Sequence, residues 1–137
     1  SDIQYPGIPQ VDMHTISAHH PFEINGLKIT PISVLHYKME VLGFRIGDFT
    51  YITDANYIAP AEMDKVRGSH TMVLNALRHE AHVSHYTLAE AIEVVREAGV
   101  PNAYFTHISH QLGTYTDVER MLPSGMHLAW DGLTLEF

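Results

Sequence analysis

Along residues 22–53 apolar and polar positions alternate with a strand's two-residue period, and near Pro60 the period changes to that of helices. "FEI-NG-LKITPISVLH" predicts two strands joined by Asn25-Gly26, a favoured two-residue hairpin turn. "VLGFRI-GD-FTYIT" repeats the device with Gly47-Asp48 at the turn, so residues 22–53 predict a β meander ending at "TDAN". Pro31, which lacks a backbone N–H, marks its strand as an edge strand or a bulged one. Before the meander, "SDIQYPGIPQVD" is rich in turn formers and predicts an extended lead-in.

Beyond Pro60, "PAEMDKVRG" predicts a short helix with proline in its first turn and Gly68 at its end. The apolar run "TMVLNAL" predicts a buried strand, and "RHEAHVSH" a polar loop carrying His79, His82 and His85. Thr87 and Glu90 form a capping box before "LAEAIEVVREAG". There Leu88, Ala91, Ile92 and Val95 share one helical face, and Gly99 is a natural stop. "NAYFT" is a further strand, "YTDVERML" a helix, and "MHLAW-DG-LTLEF" a third hairpin turned at Asp131-Gly132. Helix and strand alternate behind a meander, so the fold class is α/β, a mixed sheet covered by helices. In such folds sites assemble from loops at strand ends.

At 137 residues the chain is the size of one domain. An apolar share of 45% with 18% charged residues excludes disorder, and no run approaches the roughly 18 apolar residues of a membrane span. No signal-peptide pattern is present, and a start at Ser1 says nothing of targeting. The absence of cysteine excludes disulfides and thiolate metal sites within this chain, in keeping with an expected cytoplasmic setting. A net charge of −8 with eight scattered basic residues disfavours an extended nucleic-acid surface. Eleven histidines are the compositional oddity.

Several of those histidines sit where strands run out. His36 follows "TPISVL", Asp54 follows "TYIT", His79, His82 and His85 share one loop, and His107 follows "YFT". Imidazole and carboxylate are the usual protein ligands of zinc, and of manganese or iron where oxygen contributes more. An aspartate can also bridge two ions through its two oxygens. Each residue taken singly reads first as a strand-end histidine, a turn aspartate or a solvated loop residue. Asp131 reads first as a hairpin turn residue, and His14, His19, His20 and His70 as structural or surface groups.

"THISHQLG…MLPSG…WDGL", preceded by "YITDA" and "TPISVLH…LGF", resembles the C-terminal half of a metallo-β-lactamase-fold hydrolase, more narrowly of the PhnP-like phosphodiesterase branch. The resemblance runs from about Glu23 to Phe137. It implies an αββα sandwich of which residues 1–137 form the C-terminal portion of a single domain. It implies two divalent metal ions, Zn or Mn with Fe as a third choice. His36 would close one ion's shell, Asp54 would bridge both, and His107 would bind the second. His85 is matched to a non-ligand catalytic histidine facing the substrate phosphate. His110 is matched to a histidine that in some relatives joins N-terminal cysteines around a structural zinc; those cysteines are absent here. His82 and Asp131 are candidates for orienting the ligands or for a structural metal.

The family's H-x-H-x-D-H cluster has no match in this chain; "HTISAHH" has the wrong spacing. This piece alone is therefore expected to be inactive, and to seek either the missing N-terminal half or its own copies through exposed apolar edges. The resemblance implies hydrolysis of small cyclic or nucleotide-like phosphodiesters by a metal-activated hydroxide. Lactones, thioesters and RNA phosphodiesters are rival substrates on the same fold, and a non-catalytic metal-binding or assembly fragment is the rival outside enzymology.

Overall fold

The computed structural model describes residues 19–76, 85–106 and 115–129. They form a seven-stranded mixed sheet in sequential order. Strands β1 (Phe22–Ile24), β2 (Leu27–His36), β3 (Met39–Ile46) and β4 (Phe49–Ile52) make the expected antiparallel meander. β5 (Thr71–Asn75), β6 (Asn102–Thr106) and β7 (Met126–Leu128) then add in parallel. The crossovers carry α1 (Pro60–Val66), α2 (Leu88–Ala98) and α3 (Tyr115–Met121). Of the tail hairpin only β7 falls within the described residues.

The local signals act as their chemistry requires. Asn25 and Gly26 take positive φ of 52° and 81°, the backbone of a primed hairpin turn. In the α2 capping box, Glu90 N donates to Thr87 Oγ1 at 3.1 Å and Thr87 N donates to Glu90 Oε1 at 2.9 Å. Gly99 ends that helix in the left-handed region at φ 68°. Gly125, in the "LPSG" stretch, has a positive φ of 82°, and a Cβ there would clash with the Pro101 carbonyl oxygen. Glycine there lets the chain pass close to Pro101 before β7 joins β6.

Pro31 shows why its strand tolerates it. β1 pairs only with residues 27–29 of β2, so from Pro31 onward one edge of β2 is open. On that edge Ser33 N donates to Glu62 Oε2 at 3.0 Å, and Leu35 N donates to the Tyr57 carbonyl at 3.0 Å. Pro31, at the same two-residue phase, has no N–H to satisfy, and its carbonyl accepts from Lys65 Nζ at 3.0 Å. Helix α1 and the loop behind β4 thereby seal an edge that would otherwise invite pairing with another chain.

One sheet face carries Ile32, Val34, Ile52, Met72, Leu74, Ala103, Phe105 and Leu128, packed against Met63 and Val66 of α1, Ala91 and Val95 of α2 and Val118 of α3. On the other face Phe22 meets Phe44 edge-on at 6.4 Å, and Phe49 lies 6.3 Å from Tyr51. Among the described residues no helix covers this second face. Nor is any described helix long and apolar enough to cross a membrane.

Candidate metal centre

β2 and β4 are both antiparallel to β3, while β4, β5 and β6 are mutually parallel. The C-terminal ends of β2, β4, β5 and β6 therefore share one sheet edge. His36 is the last residue of β2, Asp54 follows β4, and His85 precedes α2 in the connection from β5. These three offer ligand atoms all within 4.8 Å of one another. Asp54 Oδ1 lies 3.5 Å from His85 Nε2, and the His36 and His85 rings meet edge-on with centroids 4.7 Å apart.

Backbone lacing brings them together. Asn56 N donates to the Leu35 carbonyl at 2.8 Å, and Tyr37 N donates to Asn56 Oδ1 at 3.0 Å, which locks the Asp54 loop beside His36. From below, the fully buried Asn75 clamps Ala55: its Oδ1 accepts from Ala55 N, and its Nδ2 donates to the Ala55 carbonyl, both at 2.8 Å. The Ala55 carbonyl also accepts from Tyr86 N at 3.0 Å, so the residue after Asp54 is tied to the residue after His85. Tyr86 is itself buried; desolvation, aided by Glu90 and Glu97, raises its phenol well above the ordinary tyrosine value, against a bond to the Ile58 backbone that lowers it.

The donor set suits a borderline divalent cation. His36 and Asp54 place a nitrogen and an oxygen donor within 4.8 Å of one another, with a second imidazole, His85, 3.5 Å from Asp54 Oδ1. Asp54's side chain is half-exposed, its Oδ2 accepts from Thr53 Oγ1 at 3.2 Å, and no Lys or Arg among the described residues pairs with it. A carboxylate held between two imidazoles without a Lys or Arg partner is an arrangement a metal ion completes.

The structure places His36 and Asp54, the two described residues that the resemblance matches to metal ligands, side by side. His85, expected to face substrate rather than metal, lies within the same group, and its position serves either a third ligand or a hydrogen-bond donor beside the centre. His107, His110, His82 and Asp131 lie outside the described residues. The strand that His107 follows, β6, ends at Thr106, which pairs with Asn75. Of the remaining histidines, His19 and His20 are exposed, and His70 Nδ1 is 3.1 Å from Thr71 Oγ1. Sequence reasoning missed Asn75 and Asn56; an amide inside the apolar run "TMVLNAL" was the available signal for the first.

Known proteins align with this chain. The sequence pattern of the family described as "Beta-lactamase superfamily domain" matches residues 1–108. The crystal structure of a diphosphatase from the PhnP family superposes with a TM-score of 0.89 at 41% identity, over 93% of this chain and 50% of that one. Zinc-bound PqqB from Methylobacterium extorquens shares the fold, with a TM-score of 0.67 at 18% identity, over 90% of this chain and 55% of that one. An octanoyltransferase from Porphyromonas gingivalis is 29% identical over 130 residues, which are 94% of this chain and 26% of that protein. The chain thus spans about half the length of the two solved structures and about a quarter of the transferase. With most of its residues inside the family's sequence pattern, the chain belongs to the beta-lactamase superfamily, and its likeness to the PhnP-like hydrolases of the metallo-β-lactamase fold holds in sequence and structure alike.

Proposed function

We propose that the complete gene product is a metal-dependent hydrolase of small phosphodiesters, cyclic or nucleotide-like, with His36 and Asp54 as metal ligands and His85 as the catalytic histidine. The observation that carries this reading is the convergence of two imidazoles and one carboxylate at the C-terminal edge of the sheet. The diphosphatase that is 41% identical to this chain supports chemistry at phosphorus over lactone or thioester cleavage. The charge of −8 supports a small substrate rather than extended nucleic acid.

When bound, divalent ions supply Lewis acidity, offsetting the charge of the substrate and making water more acidic. Zn or Mn is the proposed metal, with Fe a third choice, and two ions are proposed to bind. In this reading His36 would hold one ion, His107 the other, and Asp54 would be a ligand shared by both. The remaining ligands and the second layer of the sandwich would come from sequence outside this chain.

The chain's own residues then do the following. Thr53 and the Asn75–Ala55 clamp fix the Asp54 carboxylate in place. His85 Nε2 opens on the same space as Asp54 Oδ1, so a phosphoryl group held beside Asp54 lies within reach of an imidazole donor. As water adds to phosphorus and gives up a proton to solvent, the P–O ester bond breaks and the alkoxide leaves as the alcohol, taking a proton from His85 or, where His85 instead donates a hydrogen bond to a phosphoryl oxygen, from solvent.

The test is turnover of a simple aryl phosphodiester by the complete gene product, with Zn or Mn added, against an aryl lactone and an acyl thioester as controls. Metal-dependent release of the phenol from the diester alone is expected. Turnover confined to lactone or thioester would overturn the assignment.

A further inference from the structure

Three hairpins build the meander, and each has a two-residue turn. Two use residues suited to positive φ: Asn25-Gly26, and Gly47-Asp48 with Gly47 at φ 57°. The third, between His36 and its cross-strand partner Met39, is Tyr37-Lys38. Its geometry puts Tyr37 at φ 60°, in the left-handed region where a bulky side chain is strained and glycine is preferred. Turn chemistry gives no reason for tyrosine at this position.

The strain is held in place from outside the turn. Tyr37 N donates to Asn56 Oδ1, while Leu35 and the 56–57 segment exchange two backbone bonds of 3.0 and 2.8 Å. Strain that surrounding structure sustains gathers at functional sites, and this turn begins one residue after His36. Tyr37 is 54% exposed, and Tyr57, across the Leu35 bridge, is 49% exposed. Lys38 Nζ lies 5.4 Å from the Tyr37 ring centroid and makes no ion pair among the described residues. The rim next to the metal centre thus offers an exposed tyrosine with a lysine ammonium over its ring, on a chain whose net charge is −8.

From this we infer that the β2–β3 turn is a nucleotide-reading rim: Tyr37 stacks on the base, and Lys38 meets a phosphate of the same ligand. The inference rests on the phosphodiesterase reading for the position of the reacting phosphate, and names a nucleotide as the substrate class. Base–aromatic stacking tolerates any base, since every base has a π face, so the rim selects nucleotides over alkyl phosphates without choosing among bases. Tyr37 follows His36 directly in the chain, and its N–H is tied to Asn56, two residues after Asp54, so the rim borders the place where the phosphate would be held.

Calorimetric titration of the metal-loaded complete gene product with AMP, and separately with inorganic phosphate, tests this. Tyr37→Ala and Tyr37→Gly should weaken AMP about tenfold, whereas Tyr37→Phe should stay within about twofold and inorganic phosphate should change by no more than that in all three. Tyr37→Gly relieves the left-handed strain, so it should melt no lower than the parent, which separates lost recognition from lost folding. AMP and phosphate weakening in parallel, Tyr37→Gly binding AMP like the parent, or a parent that binds AMP no more tightly than phosphate would each overturn the inference. Tyr37-dependent AMP binding in a protein that cleaves no phosphodiester would leave the rim standing and remove the proposed reaction.

Discussion

Asn75→Ala examines the framework beneath the metal centre, because this residue touches no ligand and yet fixes the loop that carries Asp54. Its amide makes two 2.8 Å bonds to Ala55, and both residues are fully buried. Truncation leaves Ala55 N without its acceptor, at a cost of about 1–3 kcal/mol for a buried donor. The Ala55 carbonyl keeps its bond from Tyr86 N, so it is not orphaned. The missing amide also leaves a small void, adding about 1 kcal/mol. The expected loss is thus about 2–4 kcal/mol, a large fraction of a domain's usual 5–15 kcal/mol. Urea denaturation of the complete gene product, parent against variant, reads this directly as a lower midpoint at unchanged slope. Metal affinity should fall as well, by about 10–100-fold, as when a group orienting a ligand is removed. A stability change below about 0.5 kcal/mol would refute the clamp, and a destabilised variant with undiminished metal affinity would refute its link to Asp54.

Two further predictions come from the same neighbourhood. Burial raises the Tyr86 phenol well above its ordinary value in the folded chain, whereas an unfolded tyrosine ionises near pH 10. Between that pH and the raised pKa of the folded state the unfolded state holds fewer protons, so stability should fall by about 1.4 kcal/mol per pH unit from this group, and Tyr86→Phe should flatten that decline in alkaline melts. His85→Ala should lower kcat by about 10²–10⁴-fold with bound metal unchanged by elemental analysis; loss of metal would make His85 a ligand instead.

Much of this was legible in the sequence because it depends on short-range chemistry. Asn25-Gly26, the Thr87–Glu90 capping box and the stop at Gly99 are each decided within a few residues, and each acts as its type predicts. Pro31 marked an open strand edge correctly, because a missing N–H constrains the ladder directly. His36 and Asp54 were visible as polar groups ending β-prone runs. The residues that hold them were not. Asn75 reaches Ala55 only through the parallel pairing of β4 with β5, a contact twenty residues apart that no local pattern encodes. Glu62 caps Ser33 for a similar non-local reason. The left-handed Tyr37 was hidden by its identity, since nothing about tyrosine advertises positive φ. His107, matched by resemblance to a ligand of the second ion, lies outside the described residues.

The central claim is that Asp54 joins His36 in a metal centre that drives phosphodiester cleavage. Its most direct test is a paired measurement on the complete gene product and its Asp54→Asn variant: metal content by elemental analysis, and turnover of an aryl phosphodiester under the same conditions. The account predicts bound divalent metal and turnover in the parent, with both metal retention and activity lost in a variant that still folds. A folded Asp54→Asn protein that keeps its metal and its turnover would contradict it.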